Sequence, residues 1–342
     1  MAQQLLEEAR QDYYHWKKVS GVSPNTLKNI DHTLRRLMAC SGNIYCHQIT
    51  ERTVQRFLEE MSRTQQSSTV ANHFGILGGF LDWCRHTKRV KGDHDPMYGM
   101  RSPKRIKKER ERVNPAHFPE ILEAAGRRSP RDRAAVAVLL YTLARDSEAR
   151  EFRIGDVDLE SGYILARITK SHLEDRVPIC AELDTELRSW LTYYTSRVGP
   201  LQPHYRLLPA RRPPAIRDET TGQFSPSDSE VLRPTDRVAT LSRVVNPALA
   251  DIGFTVTTPG QRQVYEGAHT LRRSGARALF DRLVSESYDG ALRVVQSMLH
   301  HSSVQTTEHY LGITSDRHAR DQLIKGRPMY ARPTGDVVRL AR

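Results

Sequence analysis

The sequence has few cysteines and no long apolar run. Its 342 residues include four cysteines, and no two of them form a CxxC pair. Because a zinc site or a disulfide framework needs better-spaced partners, we expect free thiols in a cytoplasmic protein. No segment approaches the roughly 20 consecutive apolar residues that span a bilayer. The N-terminus also lacks the charged-then-apolar pattern of a signal peptide, so export is not expected.

Acidic residues are scarce relative to basic ones. The chain has 52 lysines and arginines against 40 aspartates and glutamates, which gives a formal net charge of +12. An excess of this size attracts polyanions, and nucleic acid is the commonest partner of a basic cytoplasmic protein. The alternative is a merely basic surface, so the distribution of the charges along the chain matters.

Residues 1–100 have the apolar spacing of helices. In "SPNTLKNIDHTLRRLM", Ser23 is placed as the N-cap and Pro24 at the first helical position. Apolar residues then recur at the spacing of one helical face. The same pattern occurs in the N-terminal segment, after Thr50 and again from about 67 to 84. Four such segments predict a small helical bundle.

Residues 101–113 carry a dense run of positive charge and lack an apolar face. Seven of the twelve residues 101–112 are basic, and Pro103 lies among them. The pattern predicts an exposed linker, whose charges are either solvated or in contact with a phosphate backbone. The candidates for DNA contacts are Arg101, Lys104, Arg105, Lys107 and Lys108.

Residues 114–330 predict a second domain, and 331–342 form a C-terminal tail. Two β-type runs, 163–168 and 176–180, flank a polar turn and predict a hairpin. The segment 203–234 contains several Pro and Ser and predicts a long loop or insertion.

The expected fold is mainly α with a small β-sheet: a helical bundle followed by a mixed α/β domain. Helices are predicted after the cap-then-proline pairs at 114 and 129, and at 184–197, 236–251, 269–283, 289–299, 303–311 and 315–325.

Several separate segments of this second domain carry reactive side chains. In "YTLARDSEAREF", Arg145 and Glu148 stand at the end of an apolar helical pattern, and Lys170 lies near the turn of the predicted hairpin. In "HTLRRSGARALF", His269 and Arg272 are three residues apart and so share one helical face. The segment "LHHSSVQTTEHYLG" follows near the end of the domain.

In their order and most of their spacing, these segments resemble the tyrosine recombinase (lambda-integrase) family. The resemblance spans nearly the whole chain and is specific as a set, whereas each member alone is weak. It implies a site-specific recombinase or integrase that cleaves and rejoins DNA through a 3′-phosphotyrosyl intermediate and exchanges strands through a Holliday junction. The catalytic residues that it implies are Tyr310, Arg145, Lys170, His269, Arg272 and His301, with Glu148 as a supporting acid.

The residue types suit that chemistry. Tyr310 would supply the nucleophilic oxygen, and two permanently charged guanidinium groups, Arg145 and Arg272, would balance the charge on the phosphate oxygens. Lys170 would protonate the leaving 5′ oxygen, and His269 would accept the proton of the tyrosine. Since cations do this work, no metal or cofactor is expected.

The resemblance also implies an assembly. The bundle corresponds to a SAM-like core-binding domain that clamps duplex DNA together with the catalytic domain, and four protomers act on two specific DNA sites. The segment after Tyr310 would dock on a neighbouring protomer, and an accessory DNA-bending protein is a further partner that the family allows. With no room for an arm-binding domain before the bundle, a compact phage or mobile-element integrase is favoured over a Xer-like resolvase. The expected location is the bacterial cytoplasm or nucleoid, or the host cell of a phage.

Two other functions use some of the same features. A type IB topoisomerase has a similar Arg, Lys, His and Tyr set, but a monomer of it relaxes supercoils without strand exchange. A DNA-binding architectural protein with a decayed active site would keep the charge and lose the chemistry, and the intact catalytic set argues against it. Each of the predicted catalytic residues could instead have a purely structural role. The catalytic assignment is least specific for Lys170, because lysines are common in exposed turns.

The sequence departs from the family pattern near two of its motifs. His300 stands where the family usually has Gly, "TLAR" replaces "TGLR", and extra residues around "SESYDG" lengthen the segment between Arg272 and His301. A zinc site at His300, His301 and His309 is not expected, since their spacing is unfamiliar and no Cys or carboxylate nearby completes the shell. Ser302 and Gln305 instead predict a capping box that begins the helix of Tyr310.

Overall fold

The computed structural model describes most of the chain as two compact units, 1–108 and 109–342. The described residues are 4–90, 93–105, 111–168, 173–212, 215–217, 224–226, 231–254, 256–257, 263–264, 267–313, 318–319 and 324. The predicted fold class, mainly α with a small β component, is confirmed. None of the helices in these ranges is long and apolar enough to cross a membrane.

The first unit is a bundle of helices. They are α1 (Leu6–Val19), α2 (Pro24–Ser41), α3 (Glu51–Thr64) and α4 (Ser67–His86). As predicted, Ser23 caps α2 by accepting from the backbone N–H of Thr26, with Pro24 next in the chain. Large side chains from all four helices are fully buried, among them Leu6, Leu34, Phe57 and Phe80. Their burial is what holds short helices of this kind together.

The second unit is built around a helix that is buried on all sides. This helix, α6, is apolar throughout its second half, and Ala134 to Leu140 are all at most 2% exposed. A helix without a polar face forms only where neighbours cover it completely. The helices of the unit are α5 (Phe118–Gly126), α6 (Pro130–Thr142), α7 (Asp146–Ala149), α8 (Ala181–Val198), α9 (Ser242–Asp251), α10 (Ala268–Leu283), α11 (Tyr288–Leu299) and α12 (Val304–Leu311).

Helix α10 approaches α6 closely because of one glycine. A Cβ at Gly275 would lie 2.5 Å from the carbonyl oxygen of Leu140, so any side chain there would push the two helices apart. On its other side α10 packs with α11 and α12 in a separate apolar cluster that includes Phe280, Val295 and Leu311. Helix α10 therefore joins the central helix to the last three helical segments.

The predicted hairpin is present, with its second strand earlier than expected. Strands β1 (Val157–Asp158), β2 (Tyr163–Ile168) and β3 (Leu173–Pro178) form an antiparallel sheet. The prediction placed the second strand at 176–180, because charged residues fill the start of β3. Pairing with β2 overrides that weak pattern, and Ile168 is opposite Leu173.

The segment 203–234 is not the predicted long loop. It contains β4 (Pro209–Arg212), β5 (Ala215–Arg217), β6 (Phe224–Pro226) and the start of β7 (Val231–Arg237). Strand β4 pairs with β7, and β5 pairs with β6. Because β7 runs to Arg237, the helix predicted from 236 begins only at Ser242. The prolines argue against strands in the sequence. A proline is nevertheless compatible with a short edge strand. Short strands β8 (Val256–Thr257) and β9 (Gln263–Val264) precede α10.

Two further predictions concern cysteines and the C-terminus. All four cysteines, Cys40, Cys46, Cys84 and Cys180, are free thiols, as predicted. The helix predicted at 315–325 falls almost wholly outside the described residues, as does the tail at 331–342.

The cap of α12 lies one residue later than predicted. Ser303, not Ser302, has the extended backbone of an N-cap, and its hydroxyl accepts from the backbone N–H of Thr306 at 3.2 Å. Two adjacent serines have equal capping chemistry, and the prediction rests on the one three residues before Gln305. Which serine begins the helix depends on the path of the chain after α11.

Replacing Ser303 by Ala leaves the N–H of Thr306 without its acceptor, so we expect a loss of about 1 kcal/mol in the free energy of unfolding. Ser302→Ala, the matched control, should change it by less than about 0.5 kcal/mol. Urea unfolding of the two variants measures both. A larger loss for Ser302→Ala would contradict the observed cap.

Candidate active site

Tyr310 lies on α12 with its ring between two histidine rings. The ring centroid of His269 is 5.5 Å away and that of His301 is 5.3 Å away, both edge to face. The hydroxyl of Tyr310 is buried, and no hydrogen-bond partner of normal geometry lies among the described residues. Burial raises the pKa of this hydroxyl above its ordinary value, while the nearby charges of Arg272 and Arg273 act in the opposite direction.

Two arginines hold the C-terminal end of the helix that carries Tyr310. The carbonyl oxygen of Leu311 accepts from Arg112 at 2.7 Å and from Arg277 at 3.3 Å. Cations at a helix C-terminus satisfy its last carbonyl groups and interact favourably with its dipole. The short helix is therefore fixed at its beginning by Ser303 and at its end by these two guanidinium groups.

Arg272 is the most deeply buried charge of the site, with 1% of its side chain exposed. It donates to the carbonyl oxygen of Leu143, just after α6, and to that of Leu299, the last residue of α11, the latter at 2.7 Å. Burial lowers the pKa of its guanidinium group, which is opposed by the neighbouring Glu148 and Tyr310. Two backbone segments thus hold this cation in one position.

Arg145 and Glu148 form a local motif that the sequence placed slightly wrongly. Helix α6 ends at Thr142, and Arg145 is the N-cap of the separate short helix α7. Glu148 accepts from the backbone N–H of Arg145 at 2.8 Å and from its guanidinium group at 2.7 Å. It also lies 3.7 Å from Arg272. Glu148 is therefore the acid between the two arginines.

The environment keeps Glu148 ionised although it is buried. Burial by itself raises the pKa of this carboxyl group, but hydrogen bonds from Arg145 and the charges of Arg145 and Arg272 outweigh it, and the pKa is lowered. Two positive charges share one negative charge here, so the described part of the site carries an excess of positive charge that favours a further anion.

His301 is neutral in this environment. Burial, reinforced by the charges of Arg272 and Arg145, lowers the pKa of its imidazole to about 4. Its Nδ1 atom is 3.2 Å from the hydroxyl of the buried Thr307. At neutral pH His301 can therefore act as an uncharged hydrogen-bond donor.

The two residues that stand where the family has glycine, Leu143 and His300, both have a left-handed backbone conformation. Leu143 has φ +55° where "TLAR" replaces "TGLR", and His300 has φ +50° at the end of α11. Glycine adopts this conformation without strain, whereas other residues are strained by about 1–2 kcal/mol. Each turn is kept, and each replacement adds a side chain contact: Leu143 is buried in the apolar cluster of α10 to α12, and His300 pairs with Asp175.

The structure brings together most of the predicted set. Lys170 lies outside the described residues, as do Lys107 and Lys108 of the linker. Arg101, Lys104 and Arg105 are exposed and belong to the first unit, where Arg105 donates to Asn72 on α4. The predicted residues that lie together are Arg145, Glu148, His269, Arg272, His301 and Tyr310.

Sequence reasoning missed the groups that position this set. They are the carbonyl groups of Leu143 and Leu299, the hydroxyl of Thr307, and Arg112 and Arg277 at the end of α12. Backbone carbonyls leave no signal in a sequence, although the replaced glycine at Leu143 marked the turn. Among the described residues, no cluster of three His, Cys, Asp or Glu side chains has the arrangement of a metal site.

Comparisons with known proteins agree on one family. Residues 111–219 match the model of the phage integrase family. The chain is 22% identical to the tyrosine recombinase XerA of Pyrococcus furiosus over 311 residues, which is 91% of each chain. It is 23% identical to XerD of Listeria monocytogenes serotype 4b, over 91% of this chain and 96% of the relative.

Solved structures share the fold. A lambda integrase (75–356) dimer bound to a COC′ core site aligns over 97% of this chain and 100% of its own, with a TM-score of 0.67 and 15% identity. XerH bound to palindromic difH substrate in a post-cleavage complex aligns over 90% and 82%, with a TM-score of 0.62 and 18% identity. The chain shares the fold of these recombinases, and its sequence is similar to phage integrases and tyrosine recombinases. The resemblance found in the motifs is thereby confirmed.

Replacing Glu148 by Gln removes the charge between Arg145 and Arg272 but keeps a hydrogen-bond acceptor. We expect a loss of about 3 kcal/mol in the free energy of unfolding at neutral pH, because the buried guanidinium group of Arg272 and the partly buried one of Arg145 lose their counter-charge. The pKa of Glu148 is lower in the folded chain than its ordinary 4.5, so this contribution is complete above that pH. It disappears as the pH falls through the lowered value.

Urea unfolding of both proteins at neutral pH and in steps below pH 4.5 measures the difference. The exposed Glu160→Gln is the matched control and should behave like the wild type at every pH. A loss for Glu148→Gln that stays constant as the solution is acidified would contradict the ion-pair network.

The ring of His301 should titrate with a midpoint near pH 4 and show no change near its ordinary 6.5 in the DNA-free protein. Because the folded pKa is the lower one, protonation below pH 6.5 favours the unfolded chain, and stability is lost as the pH falls towards 4. NMR of the histidine ring protons measures the midpoint, with His301→Asn identifying the signal. A midpoint near 6.5 would show that the ring is not enclosed by the arginines.

Proposed function

We propose that the protein is a site-specific DNA recombinase that cleaves and rejoins DNA through Tyr310. The observation that carries the proposal is the buried hydroxyl of Tyr310 beside Arg272, on a ring that packs against those of His269 and His301. This hydroxyl lies near two cations, Arg145 and Arg272, that share a single carboxylate. The excess of positive charge favours an anion such as a phosphodiester.

The proposed reaction is a transesterification. The Tyr310 oxygen forms a bond to phosphorus, the bond from phosphorus to the 5′ oxygen breaks, and the protein is left joined to a 3′ phosphate. The tyrosine proton goes to His269, and the 5′ oxygen takes a proton from a general acid, for which Lys170 is the proposed donor. The second strand's 5′ hydroxyl then reverses these steps. Because the phosphodiester energy is retained in the protein–DNA bond, no external energy source is needed.

The arginines would stabilise the charge that develops during attack. Arg272 is held by backbone carbonyl groups, and Arg145 by Glu148, so neither has to reorganise when the phosphate gains charge. His301, neutral before DNA binds, would donate a hydrogen bond to a non-bridging oxygen. A phosphate beside it also offsets the two cations, which raises its pKa from the low value of the free protein.

The bundle and the linker are proposed to bind duplex DNA. In this proposal residues 1–100 are a core-binding domain, 101–113 a linker that follows phosphates, and 114–330 the catalytic domain. The net charge of +12 supports a nucleic-acid partner. Solved relatives include a lambda integrase tetramer bound to a Holliday junction, which supports a homotetramer on DNA as the working form. The integrase subclass, as opposed to a Xer-type resolvase, remains a prediction, as does an accessory protein.

The covalent step can be tested on DNA that the protein selects. A duplex enriched from a randomised pool by Tyr310→Phe protein, then nicked beside the site, should trap wild-type protein as a covalent adduct, visible as a shifted band on a denaturing gel. Tyr310→Phe should form none, and Tyr163→Phe, a partly exposed tyrosine on β2, should react like the wild type.

Three outcomes would contradict the proposal. An adduct that persists in Tyr310→Phe would exclude this nucleophile. No adduct with wild-type protein would favour an architectural DNA-binding protein. Relaxation of supercoils without recombinant product from two sites would favour a type IB topoisomerase.

A further inference from the structure

His300 ties the end of α11 to the hairpin. Its Nε2 atom donates to the Asp175 carboxylate on β3 at 2.8 Å, and 12% of the His300 side chain is exposed. Its other ring nitrogen is buried without a hydrogen-bond partner among the described residues. The contact joins residues 125 positions apart in the chain, so it is a tertiary connection and not a feature of the local turn.

The local backbone does not favour a histidine here. His300 has φ +50° and ψ +47°, a left-handed conformation that glycine adopts without strain. The backbone N–H of His300 is bonded within the turn, to the carbonyl oxygen of Ser297, which any residue could do. What a histidine adds to this position is therefore the bond to Asp175.

Asp175 lies near the beginning of β3, at the end of the strand that is linked to β2. It is opposite Ala166 on β2, and the pairing of the two strands extends to Ile168 and Leu173. The chain between those last two residues contains Lys170. On the other side of the contact, His300 directly precedes His301, whose ring packs against Tyr310. The His300–Asp175 bond thus connects β3 of the hairpin to the segment that bears His301.

We propose that the His300–Asp175 pair is a positioning device that fixes the β2–β3 hairpin relative to the α11–α12 turn, so that the proton donor of the hairpin reaches the leaving 5′ oxygen. This role rests on the proposed recombinase function. His300 and Asp175 touch no reacting atom, and they act through the hairpin. A partly exposed pair of this kind contributes little to global stability, so its effect on the reaction can be separated from folding.

A substrate that needs no proton donor isolates this effect. When sulphur replaces the bridging 5′ oxygen, the phosphorus–sulphur bond breaks to release a thiolate, which is a good leaving group without protonation. A variant whose only defect is a misplaced general acid is therefore slow with the oxygen substrate and normal with the sulphur substrate. A variant with a disturbed nucleophile or phosphate site is slow with both.

The variants are His300→Gly, Asp175→Asn and the double variant, with Glu174→Gln as the control from an exposed neighbour on the same strand. On nicked DNA of the selected sequence with the normal bridging 5′ oxygen, each single variant should form the covalent adduct about 10- to 100-fold more slowly than wild type. This is the loss expected when the proton donor is misaligned with the leaving oxygen. The double variant should be no slower than the slower single variant, because both changes remove the same contact. With the sulphur substrate, all should match the wild type.

Thermal unfolding provides the folding control. His300→Gly should be as stable as the wild type or slightly more so, because glycine removes the strain at φ +50°. Equal slowing on both substrates, or no slowing on the oxygen substrate, would overturn the positioning role while leaving the recombinase function intact. Absence of any adduct with wild-type protein on either substrate would overturn the recombinase function and this role with it.

Discussion

The buried guanidinium group of Arg272 is the constraint on which the rest of the site depends. Removing such a charge from water costs several kcal/mol unless its donors are satisfied. The acceptors come from two separate places, the residue after α6 and the last residue of α11, and Glu148 on α7 supplies counter-charge. These elements cannot move independently without leaving the cation unpaired. Gly275, one turn further along α10, lets that helix lie close enough to α6 for the contact to form.

Around this cation the described side chains carry more positive than negative charge. Arg145 and Arg272 share Glu148, His301 is held neutral, and the Tyr310 hydroxyl is buried without a hydrogen-bond partner of normal geometry in the described part of the chain. Each of these is unfavourable in an ordinary core, since buried polar groups are normally paired. An excess of positive charge of this kind favours the binding of an anion.

The two left-handed residues show how a fold can keep a turn and change its use. Leu143 and His300 both stand where the family has glycine, and both keep the backbone conformation that glycine would adopt. At Leu143 the side chain fills an apolar cluster, and its carbonyl still reaches Arg272. At His300 the side chain reaches across to β3. In each case a tertiary contact offsets a local strain of about 1 kcal/mol.

Much of this protein could be predicted from the sequence, because its signals are local and periodic. The four helices of the first unit, the cap at Ser23 and the mainly α fold follow from spacing and residue type, and the motifs carry the resemblance to the tyrosine recombinase family. The motif order also predicted that Arg145, Glu148, His269, Arg272, His301 and Tyr310 would lie together, although it could not test their roles.

Tertiary structure alone decided the features that depend on distant partners. Strand β3 begins at Leu173 because β2 pairs with it, the segment 203–234 becomes strands because β4 meets β7, and Ser303 caps α12 because of the path after α11. The acceptors of Arg272 are backbone carbonyl groups, which every residue has and no sequence distinguishes. Short-range patterns determine which elements form, whereas long-range contacts determine where they begin and which charges they bury.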